Sequence, residues 1–96
     1  MNIKELTICN IQTNRLAVTW KLSDGEQISY DLFLIQKGAV IERVRAVTGM
    51  TGCTLQTAAE PTAEYSLLLT VRSGERLSTV RTGFYPQNRF CQQNTF

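Results

Sequence analysis

The stretch Arg15-Leu-Ala-Val-Thr-Trp-Lys-Leu22 alternates strictly, with Leu16, Val18, Trp20 and Leu22 on one side and Arg15, Ala17, Thr19 and Lys21 on the other. Successive side chains of an extended backbone point to opposite faces, so the first set belongs against a core and the second in water. Trp20 is therefore expected inside. The same period of two recurs over about Glu5 to Asn10, Gln27 to Gln36, Val40 to Val47, Cys53 to Thr57, Glu64 to Arg72 and Arg76 to Phe84. With Arg15 to Leu22 these predict an all-β chain, a seven-stranded antiparallel sandwich of two sheets.

Ser23-Asp24-Gly25-Glu26, Lys37-Gly38 and Ser73-Gly74-Glu75 supply residues that accept the positive φ of tight turns. Strands three and four, and strands six and seven, thus read as hairpins. Two segments pull toward helix. Thr57-Ala-Ala-Glu60 has the Thr-x-x-Glu form of a capping box, which Pro61 limits to a turn, and Thr62-Ala-Glu-Tyr65 leaves open a helix through Leu67 to Leu69. Pro86 to Phe96 carries Asn and Gln without alternation. The expected organisation is one domain over residues 1–86 and a tail or linker over 87–96.

Ninety-six residues at 43% hydrophobic and 19% charged make one ordinary globular module. A net charge of +2 falls short of the basicity that would point to nucleic acid. The absence of histidine removes the commonest general base, Ser–His and Cys–His nucleophile pairs, and imidazole metal ligation. Cys9, Cys53 and Cys91 form no Cys-x-x-Cys pair, so neither a zinc site nor a redox motif is indicated. A Cys9–Cys53 bridge stays open if their strands are neighbours. Buried free thiols are the favoured reading, and that usage leans toward a reducing compartment. Met1 to Glu5 has no basic-then-apolar leader pattern, and the longest strongly apolar run, Leu32 to Ile35, is too short to cross a bilayer. If Met1 is the natural start, the expectation is a cytoplasmic protein without membrane insertion.

Trp20, Tyr30-Asp-Leu32 and Pro61-Thr-Ala-Glu-Tyr65 together give a pattern that resembles fibronectin type III domains, over about Glu5 to Phe84. The family has Tyr-x-Val on its third strand and Pro-x-Thr-x-Tyr ahead of its sixth. The resemblance implies an immunoglobulin-like sandwich with a tyrosine corner, in which the Tyr65 hydroxyl bonds backbone a few residues upstream. Ala59 and Ala63 stand where the family has Leu and Thr, a smaller plug under that corner. Antibody-type domains are less similar, since positions near Val18 and Leu67 are aliphatic instead of cysteine. The run from Tyr30 to Gly38 followed by Val40-Ile-Glu-Arg43 also looks like small β modules attached to bacterial surface-polysaccharide enzymes and triple-tyrosine sensor proteins. Either likeness implies a non-catalytic role in spacing, docking or recognition.

Trp20, Tyr30 and Tyr65 run in phase with aliphatic neighbours, which makes them core and not a sugar-stacking platform. Phe33, Ile35 and Leu68 fall in the opposite phase from Tyr30, Leu32, Leu34, Leu67 and Leu69. They should face outward as an apolar patch for a neighbouring domain or a second copy, unless strand four or the tail with Phe90 and Phe96 covers them. Arg43, Arg45, Arg72, Arg76 and Arg81 belong to strands of one expected sheet. They form either a surface for an anionic glycan or phosphate, or an ordinary solvated strand face.

Asp24, Glu26, Asp31, Glu42, Glu60 and Glu64 show no spacing that converges on a catalytic pair, and Gly49-x-x-Gly52 is too short for a phosphate loop. Ser73-Gly-Glu-Arg76 occupies the loop that carries Arg-Gly-Asp in some fibronectin type III domains, without that motif. The expected function is a non-enzymatic, cofactor-free interaction or spacer module of a larger bacterial-type protein or assembly, with a protein partner. Carbohydrate recognition by the arginine-bearing sheet is the alternative.

Overall fold

Eight strands form in the computed structural model, which describes residues 1–96 apart from Thr13, Ala58, Asn88 and the side chain of Gln12. They are β1 (Ile3–Gln12), β2 (Arg15–Leu22), β3 (Ser29–Gln36), β4 (Ala39–Ala46), β5 (Gly52–Gln56), β6 (Tyr65–Ser73), β7 (Arg76–Phe84) and β8 (Cys91–Thr95). One antiparallel sheet runs β5-β2-β1-β8 and the other β4-β3-β6-β7. The described residues contain no helix. The capping-box reading at Thr57 to Glu60 rests partly on Ala58, outside the described residues. The helix left open through Leu67 to Leu69 is excluded, because Tyr65 opens β6.

Alternation decides which face of each strand is buried. Leu6 and Ile8 of β1, Leu16, Val18 and Trp20 of β2, Tyr30, Leu32 and Leu34 of β3, and Tyr65, Leu67, Leu69 and Val71 of β6 fill the space between the sheets. Lys37 and Gly38, with φ of 52° and 78°, form the two-residue turn between β3 and β4. Two successive positive φ values match the right-handed twist of the paired strands.

Gln27 was expected to open the third strand; that strand instead begins at Ser29. Gln27 turns inward, where its Oε1 accepts the Trp20 indole N–H at 2.7 Å. Its amide nitrogen donates to the carbonyls of Thr48 at 3.0 Å and Met50 at 2.7 Å. One buried side chain thus ties the indole to the loop between β4 and β5 and leaves no polar atom of its own unmatched. At the other end of the sandwich the Tyr65 hydroxyl accepts the Glu60 backbone N–H at 2.8 Å. Half-buried Ala59 and Ala63 pack beside the core there.

Two expectations are corrected at the C-terminal end. Residues 87–96 are not merely a tail, because Cys91–Thr95 forms an eighth strand beside β1, in register from Glu5↔Thr95 to Cys9↔Cys91. No apolar alternation announced it, since its half-buried positions are Gln92 and Asn94. Cys9 is not a free thiol, nor is it joined to Cys53. It forms a disulfide with Cys91 across that ladder. β2 separates β1 from β5, and Cys53 faces inward opposite Val18 while Cys9 lies opposite Ala17 on the outer surface. Cys53 alone stays free, half-buried, and burial pushes its thiol up from the usual value.

Candidate functional site

The outer face of the β4-β3-β6-β7 sheet collects the residues out of phase with the core. Register places Arg43, Phe33, Leu68 and Arg81 side by side in a single row across the four strands. The next row reads Arg45, Asp31, Thr70, Thr79, and the one beyond it Ser29, Arg72, Leu77. On the other side of the central row lie Val40, Ile35, Ser66 and Gly83. Phe33, Ile35 and Leu68 are half-buried, whereas Val40 and Leu77 are exposed. An apolar centre is thus bordered by four arginines.

Asp31 organises two of them. Its Oδ1 accepts the Arg45 Nε–H at 2.6 Å and lies 3.6 Å from an Arg43 Nη. The Arg43 guanidinium also sits 5.1 Å from the Phe33 ring centre, a cation–π contact that keeps the ring partly covered. The Arg45 bond is the largest of the influences holding the Asp31 carboxyl below the usual carboxylate value; Arg43 adds to it, and desolvation opposes it. A cleft of about 310 Å³ lined by Ser29, Tyr30, Asp31, Arg45, Val47 and Arg72 adjoins this corner of the face.

No protein-family model matches the sequence, and no curated protein matches it. Solved structures do match. A computationally redesigned β-sandwich protein superposes with a TM-score of 0.70 at 22% identity, covering 91% of this chain and 95% of its own. A structure described as a myokine gives 0.72 at 18%, covering 91% and 97%. A fibronectin type III domain from the human KIAA0970 protein gives 0.61 at 17%, covering 90% and 73%. The fold is fibronectin type III-like.

Within this fibronectin type III-like sandwich, Phe33, Ile35 and Leu68 lie half-buried on the outer face, and β4 covers them in part, through Arg43 over the Phe33 ring. Phe90 stacks on Phe84 on the interior side, with ring centres 6.3 Å apart. Four of the five arginines share the outer face. Arg76 does not, since it pairs with Ser73 at the hairpin end in phase with half-buried Ser78 and Val80. The sequence kept the apolar and basic sets apart, whereas register interleaves them in one surface. It also missed Asp31 as their organiser, which becomes visible only once β3 and β4 are paired.

Among the described residues no three carboxylates or thiols gather at metal-binding distance. The arrangement suits contact with an apolar and acidic surface.

Proposed function

We propose that this chain is a non-catalytic interaction module that docks a partner protein on the outer face of its β4-β3-β6-β7 sheet. The row Arg43–Phe33–Leu68–Arg81 carries this reading. Arginine and aromatic side chains are the types that dominate binding energy when water is excluded around them, and here they stand on rigid strands whose other face is the core. Fibronectin type III-like folds commonly serve as interaction modules, which supports the same reading. Four arginines against Asp31 make the complementary partner surface acidic around an apolar centre.

The test uses the wild-type chain and the variants Leu68→Asp and Arg81→Glu as baits for proteins of its own host, with circular dichroism confirming that the variants fold. A partner held by the wild type and lost with both variants supports the reading. A partner whose capture survives both substitutions overturns it. Salt-sensitive retention on an acidic polysaccharide, abolished by Arg81→Glu but not by Leu68→Asp, would instead assign the face to glycan recognition.

A further inference from the structure

β8 is attached differently from the other strands. None of the buried apolar side chains belongs to it, while the β1 beneath it is locked in place by Ile3, Leu6 and Ile8, at 3%, 0% and 0% exposure. Its half-buried side chains are polar: Gln92 donates to the Gly83 carbonyl at 3.1 Å, and Asn94 accepts from Thr82 at 3.1 Å and donates to the Leu6 carbonyl at 3.3 Å. Beyond these bonds and the short ladder, it is held covalently by Cys9–Cys91, on the outer surface with Cys91 exposed. Burial is what holds an edge strand when its covalent tie is cut, and β8 has little.

We propose that the Cys9–Cys91 bond is a redox-operated latch on a concealed strand-pairing edge, and that opening it lets the β8 of a second copy pair with β1. A dithiol reductant attacks the exposed Cys91 sulfur. Cys9 leaves as thiolate and takes a proton, and the reductant's second thiol displaces Cys91 from the mixed disulfide. Two electrons pass to the protein's sulfurs, and the reductant ends as a disulfide. β8 then detaches while the core keeps β1 extended, leaving a flat row of free N–H and C=O groups of the kind that recruits another strand. A second copy is the fitting partner because its β8 reproduces the same ladder and sets Cys91 opposite Cys9 again.

Hydrogen exchange on the full chain carrying Cys53→Ala, oxidised and then reduced with dithiothreitol, tests this. The Asn10 N–H donates to the Phe90 carbonyl at 2.9 Å, so by strand alternation the amides of Leu6 and Ile8 also face β8, while those of Thr7 and Cys9 face β2. At concentrations low enough to keep the reduced chain monomeric, reduction should speed exchange at Leu6, Ile8 and Asn10 by about tenfold or more and leave Thr7 and Cys9 protected. Protection of the first three should return as the dimer forms. Sedimentation of the reduced chain should show dimer growing with concentration, and reoxidation should trap a disulfide-linked dimer. A Cys91→Ser variant should behave as the reduced chain does in exchange and sedimentation. Unchanged exchange at Leu6, Ile8 and Asn10 in the reduced monomer, or a reduced chain that stays monomeric at every concentration, overturns the proposal. So does equal deprotection of Thr7 and Cys9, which would mean that the bond holds the whole domain together.

Discussion

The indole N–H of Trp20 and Oε1 of Gln27 meet at 2.7 Å in the interior, joining the second strand to the crossover that carries the chain from one sheet to the other. Replacing Gln27 with Leu keeps an apolar volume there but strands the indole N–H and the Thr48 and Met50 carbonyls. The expected loss is about 2–3 kcal/mol, since an unmatched buried polar group costs its full desolvation. Urea denaturation of wild type and variant measures it.

Tyr65→Phe removes the acceptor of the Glu60 N–H and nothing else, because the ring still fills its place beside Phe84, 6.0 Å away. A loss of about 1 kcal/mol is expected, the ordinary net worth of a single hydrogen bond. Equilibrium denaturation at matched temperature would reveal a larger change if the corner also orders the Pro61 turn.

Asp31 is nearly buried beside two mostly solvated guanidiniums, so Asp31→Asn should cost about 1–2 kcal/mol near neutrality, between surface and buried ion-pair values. Its carboxyl titrates below the ordinary 3.8 in the folded chain. The contribution is therefore complete above that ordinary value and disappears as pH falls through the lowered folded value. Wild type and Asp31→Asn should differ most near neutrality and converge only once the pH has fallen below the lowered folded value in a denaturation series.

The β3–β4 turn offers a pair of changes with opposite signs. A Cβ on Gly38 would touch nothing within 4 Å, so Gly38→Ala tests backbone strain alone at φ 78° and should destabilise by about 1 kcal/mol. Lys37 already pays for a φ of 52°, and Lys37→Asn should recover about 0.5 kcal/mol. Paired melting curves check both.

The two-sheet architecture was legible because β2 and β6 bury every other residue, and Trp20, Tyr30 and Tyr65 fall in phase with aliphatic neighbours, even though Leu32 to Ile35 makes β3 apolar on both faces. The outward phase of Phe33, Ile35 and Leu68 followed from the same counting. Period two is a local property of the chain, so such features can be read without knowing what pairs with what. Partnership cannot. That Arg43 stands beside Phe33, that Asp31 gathers Arg43 and Arg45, that Arg76 leaves the basic set, and that Cys9 meets Cys91 instead of Cys53 all depend on strand order and register between distant segments. β8 was illegible for a further reason: it lies at a sheet edge and turns Gln92 and Asn94 inward, so hydrogen bonds to β1 and β7 take the place of the apolar burial that would have marked it. The residue pattern thus settled which side of each strand meets the core, and the folded arrangement alone chose the neighbours on the outer surfaces, because cross-strand contacts join residues that the chain keeps far apart.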